Sequence, residues 1–140
     1  MGFLESLMKG EEEKPSEPSG TPFKVSLGFS PLRLGAMKDN KVNLVVRITN
    51  ISGDEQLVSI DAALPRNHLI GFDPTCINKN IEKKLGKLQA NDTTEIVLSI
   101  WGNNQSKEGN YPIQVTVYAH YLDYSKVLGS VRKNVSLRVV

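Results

Sequence analysis

From Val42 to Thr49 the chain alternates apolar and polar residues. Val42, Leu44, Val46 and Ile48 stand against Asn43, Arg47 and Thr49, with Val45 the one apolar residue on the second face. The same two-residue period returns at Glu95–Trp101 through Ile96, Leu98 and Ile100. It returns again at Tyr111–Tyr121 through Tyr111, Ile113, Val115, Val117, Ala119 and Tyr121. Successive side chains of a strand point to opposite faces, so each stretch buries one face and wets most of the other.

Weaker signals fill the gaps. Phe23, Val25, Leu27 and Phe29 read as a first strand interrupted by Pro31, in the manner of an edge strand, and Leu32 and Leu34 resume it on the opposite sheet. Leu57 to Leu64 presents Val58, Ile60, Ala62 and Leu64 inward, Leu69-Ile-Gly-Phe reads as a short strand, and Ile81 to Leu88 as another. The last strand runs from about Gly129 to Val139. Turn residues separate these runs, and no helix is expected among them. The prediction is an all-β fold: an antiparallel sandwich of about seven or eight strands over residues 22–140.

The first 21 residues differ in kind. Residues 1–9 put Phe3, Leu4, Leu7 and Met8 on one side of a helical wheel, with Glu5, Ser6 and Lys9 on the other. Two turns of helix are marginal alone in water, so this segment either folds against a surface or stays disordered. Residues 10–21 form an acidic, Pro/Ser-rich linker without a large apolar side chain, expected to be flexible. Phe3, Leu4, Leu7 and Met8 are therefore the candidate membrane- or partner-docking residues.

Composition narrows the classes further. A length of 140 residues suffices for one cored domain and a tail, and a hydrophobic share of 39% suits a sandwich with wetted outer faces. The net charge of +2 divides into an acidic tail and a mildly basic remainder, too diffuse to imply nucleic acid. Cys76 stands alone, which excludes an intrachain disulfide, and it reads as a small semi-buried side chain rather than a reactive thiol. No apolar run approaches the roughly 20 residues a bilayer-spanning helix needs, and no signal peptide is recognised. The expected compartment is cytoplasmic, peripheral at the inner membrane face if the tail docks there. Four Asn-x-Ser/Thr triplets, at Asn50, Asn91, Asn104 and Asn134, are read as turn chemistry before glycosylation.

Three segments together are similar to a known family. They are Val42-Asn-Leu-Val-Val-Arg-Ile-Thr-Asn-Ile-Ser-Gly, Leu85-Gly-Lys-Leu-Gln-Ala-Asn-Asp-Thr-Thr-Glu-Ile-Val-Leu and Glu108-Gly-Asn-Tyr-Pro-Ile-Gln-Val-Thr-Val. They resemble the immunoglobulin-like modules of bacteria and archaea, such as the CARDB (cell-adhesion-related) type, across about residues 23–140. The resemblance implies sandwich geometry rather than a ligand site. In such a corner a tyrosine ring packs inside while its hydroxyl bonds nearby backbone, and Tyr111 is expected to do this. Met1-Gly-Phe-Leu-Glu-Ser-Leu, followed by an acidic linker, is similar to the membrane-targeting helices of some prokaryotic cell-division anchor proteins. Met-Gly-x-x-x-Ser also fits an N-myristoylation pattern.

Candidate chemistry is sparse. Lys79, Lys83, Lys84 and Lys87 form a basic patch, with Lys83 and Lys87 expected on one face. It reads either as charge blunting an edge strand or as contact with anionic lipid or an acidic partner. Tyr118, His120 and Tyr124, with Trp101, form a candidate interaction surface, Tyr118 and His120 sharing the face opposite Val117 and Tyr121. His68 and His120 lack neighbours at metal-ligand spacing. Asp61, His120 and a serine can be drawn as a triad, but no nucleophile-elbow motif supports it. The expectation is therefore no enzyme, no cofactor and no metal. It is a non-catalytic protein-interaction or scaffold module tethered by its N-terminal segment. The alternative is a carbohydrate- or cell-surface-binding, adhesion-type domain.

Overall fold

The computed structural model describes residues 21–140. The expectations for Phe3, Leu4, Leu7, Met8 and most of the linker lie outside the described residues. The strands are β1 (Phe23–Ser30), β2 (Arg33–Leu34), β3 (Asn40–Asn50), β4 (Gln56–Ala63), β5 (Ile70–Gly71), β6 (Asn80–Leu88), β7 (Thr93–Gly102), β8 (Gly109–His120) and β9 (Val127–Val139). The described residues contain no helix.

Two sheets divide these strands, one ordered β1-β3-β7-β5 and the other β2-β9-β8-β4-β6. Every pairing is antiparallel except that of β2 with β9, where Leu34 partners Val139. The alternating residues supply the filling. Phe23, Val25, Val42, Leu44, Val46, Ile48, Leu98 and Ile100 face inward from the first sheet. Val58, Ile60, Ala62, Ile113, Val115, Val117, Val131 and Leu137 meet them from the second. Removing so many aliphatic side chains from water, at roughly 1.5–3 kcal/mol each, is the main force closing the two layers. The predicted interruption at Pro31 marks the crossing of the chain from the first sheet to the second, where Leu34 is buried and Leu32 is exposed.

This arrangement is an immunoglobulin-like sandwich. It departs from the usual strand sequence at one place. After β4 the chain visits the edge of the opposite sheet for the two residues of β5, then returns as β6 to pair with β4. Gly71 permits that visit, because a Cβ there would lie 2.5 Å from the Cα of Cys76. Tyr111 takes the expected corner role: its ring is buried and its hydroxyl donates to the carbonyl oxygen of Lys107. Cys76 is buried, and that burial pushes its thiol pKa upward, as befits a packing residue.

Candidate functional site

Strand register determines which polar side chains meet on the outer face of the five-stranded sheet. Leu57, Ser59 and Asp61 of β4 partner His120, Tyr118 and Thr116 of β8. On the other side of β4, Ser59 and Asp61 partner Lys84 and Glu82 of β6. Since Val58, Ile60, Val117 and Ala119 point inward, these intervening residues all project outward.

The result is a connected cluster. The Ser59 hydroxyl and His120 Nε2 are 2.7 Å apart and share a hydrogen bond between two buried residues. The His120 ring meets Tyr124 edge-on with centroids 5.1 Å apart, and Tyr118 at 6.1 Å. Tyr124 reaches across β4 to accept a hydrogen bond from the Gly86 amide at 2.8 Å, and Lys84 Nζ stands 5.2 Å from the centroid of its ring. Tyr118, His120 and Tyr124 are therefore in ring contact, with His120 itself buried, and Ser59 and Lys84 join them as members that periodicity alone had not supplied.

Beside Tyr118 lies an open groove of about 440 Å³, lined by Asp61, Glu82, Gln114, Thr116 and Arg132 among others. Burial, reinforced by the nearby Glu82 carboxylate, holds the Asp61 pKa above its ordinary range; a hydrogen bond with Tyr118 and the charge of His120 pull the other way. Asp61 thus serves Tyr118, whereas His120 Nδ1 is buried with no hydrogen-bond partner among the described residues. Among the described residues no carboxylate orients the second ring nitrogen of the Ser59–His120 pair, and the Ser59 hydroxyl is buried within the sheet.

Two groupings need correction. Trp101 belongs to β7 in the other sheet, where it partners Lys41, whose Nζ lies 5.1 Å from the ring centroid. It does not join Tyr118, His120 and Tyr124. The basic patch is also dispersed. Lys79 Nζ turns inward and donates to the carbonyl oxygens of His68, at 2.6 Å, and Ile70, while burial lowers its pKa. A bulge at Leu85–Gly86, with Gly86 at φ +80°, shifts the strand by one residue. Lys84 and Lys87 consequently share the outer side, and Lys83 partners the core residue Ile60. Lys83 and Lys87 do not share the face that unbroken alternation predicts.

The end of the sandwich where the described chain begins carries a second feature. Pro22 accepts a hydrogen bond from the Ile51 amide at 2.9 Å, and the β3–β4, β6–β7 and β8–β9 turns surround it. Asn50 ties this end together. Its buried side-chain amide donates to the carbonyls of Asp54 and Leu88, and its side-chain oxygen accepts from the amide and hydroxyl of Ser52. Buried in that way, Asn50 is not a glycan acceptor. Around it Ile51, Tyr121, Leu122, Val127 and Leu128 are exposed, Leu122 at 75% and Leu128 at 63%. Tyr121 does not continue the inward alternation, because β8 ends at His120 after a register shift.

No protein-family model matches the chain, and no curated protein matches it in sequence. Solved structures are similar in fold. The C-terminal domain of wzt superposes with a TM-score of 0.56 at 11% identity, covering 91% of this chain and 80% of that one. The Pseudomonas fluorescens alkylpurine DNA glycosylase AlkC, bound to DNA containing an abasic site analog, gives 0.51 at 16% identity and covers 86% of this chain. This chain spans only 31% of that glycosylase. A CARDB domain from Pyrococcus furiosus, solved in complex with di-metal ions, gives 0.46 at 17% identity over 94% of this chain and all of that one.

Proposed function

We propose that the chain is a non-catalytic protein-interaction module held at the inner face of a membrane by Phe3, Leu4, Leu7 and Met8. The observation that carries the interaction reading is the Tyr118–His120–Tyr124–Lys84 cluster, knitted across three strands by hydrogen bonds and ring contacts. Aromatic side chains whose positions are already determined lose little conformational freedom when a partner covers them. Its non-catalytic character is supported by the inaccessible Ser59 hydroxyl and by His120 Nδ1, which has no hydrogen-bond partner among the described residues. Docking of the N-terminal segment at a lipid interface is supported by its apolar stripe, Phe3, Leu4, Leu7 and Met8.

The test is site-specific photocrosslinking. A photoreactive amino acid at position 118 or 124 is expected to give a discrete protein adduct in cells, and the same probe at Val97, on the exposed face of the other sheet, is not. Equal labelling from both faces overturns the reading. A second reading, glycan binding, draws on the groove beside Tyr118, whose Asp61, Glu82, Gln114 and Arg132 offer donors and acceptors suited to sugar hydroxyls. Glycan-array binding abolished by Tyr118→Ala promotes that reading instead.

A further inference from the structure

We infer that the exposed apolar end around Leu122 and Leu128 is a second lipid contact, inserting beside the N-terminal segment into the interfacial layer of a bilayer. The inference rests on the reading of Phe3, Leu4, Leu7 and Met8 as a lipid tether, and it concerns a different part of the chain.

Ile51, Tyr121, Leu122, Val127 and Leu128 are all half exposed or more, and four of them belong to the β8–β9 hairpin. Leu122 is also held at φ +67°, a left-handed conformation that glycine or asparagine adopts at lower cost. An aliphatic side chain kept in a strained, water-facing position earns no packing inside the domain. Strain at such a site is a pointer to a contact outside it.

The identity of that contact follows from where the chain enters. Pro22 and Thr21 line the same shallow groove as Ile51, Ala119 and Leu128. The twelve residues 10–21 can reach at most about 40 Å. A surface holding residues 1–9 therefore lies within reach of this end of the sandwich. Leu32, Met37 and Ile77 are exposed as well, but they come from separate loops at the opposite end, a full strand length from Pro22.

Charge defines the type of lipid contact. Asp54, Glu55, Asp92 and Asp123 outnumber Lys87 and Lys126 around this end. Attraction to anionic headgroups is not its basis. The contact is apolar, with Tyr121 suited to the headgroup level and the Lys126 stem able to reach past it. Each of the two contacts is weak alone, and the linker makes the second effectively intramolecular once the first is formed.

Flotation of the full chain with phosphatidylcholine vesicles tests this, using a double variant Leu122→Glu/Leu128→Glu and, separately, Phe3→Glu/Leu7→Glu. The hairpin variant is expected to lower vesicle partitioning at least about tenfold, with 0.5 M salt leaving the parent's binding unchanged. Its thermal melt serves as the folding check, and Leu122→Gly/Leu128→Ser replaces it if it does not fold. If the hairpin variants float like the parent while Phe3→Glu/Leu7→Glu does not, the second contact is refuted and the tether stands. A parent chain that fails to float refutes both.

Discussion

The rings of His68 and Tyr111 are stacked, with centroids 4.2 Å apart and planes 12° from parallel. His68 lies in the excursion between β4 and β5, whereas Tyr111 is the third residue of β8, so the stack ties an irregular loop to the corner of the second sheet. The Tyr111 hydroxyl completes the tie by donating to Lys107. Tyr111→Phe keeps the stack and loses that bond. It is expected to lower unfolding free energy by about 1 kcal/mol in urea titration, without a change in the slope.

Lys79 holds the same loop from the other side through the carbonyls of His68 and Ile70. Lys79→Met preserves most of the aliphatic stem and leaves both carbonyls without that donor. A loss of about 2 kcal/mol in stability is expected, measured by thermal or chemical unfolding. Lys83→Met, at the exposed edge of β6, serves as the control and should change little.

The raised pKa of Asp61 has a definite sign in its effect on stability. A carboxyl that holds its proton more tightly when folded than when unfolded contributes stability at low pH. That contribution disappears as pH rises through the folded-state pKa. Asp61→Asn removes the ionisation and can still accept from Tyr118. The melting temperature of the variant relative to the parent should therefore increase between pH 3 and pH 7. A constant difference across that range would contradict the cause assigned to the shift.

At Leu122, stability and the inferred lipid contact should move in opposite directions. Leu122→Gly relieves the left-handed backbone and should raise stability by about 1 kcal/mol, although it removes an aliphatic side chain. Paired melts and vesicle flotation of this one variant check both effects. A stabilised variant with undiminished flotation would separate the strain from any lipid role.

Much of the fold was legible because one periodicity carries it. Val42–Ile48, Leu98–Ile100 and Tyr111–Ala119 bury the residues that alternation assigned, and even the two-residue β2 and β5 fall at the expected Leu34 and Leu69-Ile-Gly-Phe. The site was only partly legible. Tyr118 and His120 stand two apart on one strand, so local geometry joins them. Ser59 and Lys84 reach them only through the register of β4 with β8 and β6, which no local pattern encodes. Gly86 was visible as a glycine inside a strand, but nothing in the sequence states that it reverses the order of faces between Lys84 and Lys87. Trp101 was grouped with Tyr118, His120 and Tyr124 by residue type alone. Its separation from Tyr118 depends on which sheet β7 joins, and that is a long-range property of the topology. The exposed hairpin was missed because alternation continued through Tyr121, one residue beyond the end of β8.

The direction in which β1 leaves the domain has a mechanical consequence. From Phe23 to Ser30 this strand is zipped to β3 over eight consecutive register pairs, and its first residue sits at the end nearest the tail. A pull on that tail acts along the strand rather than across it. The rungs must slide together instead of opening one by one, so tension delivered through Pro22 meets the domain in its stiffest orientation.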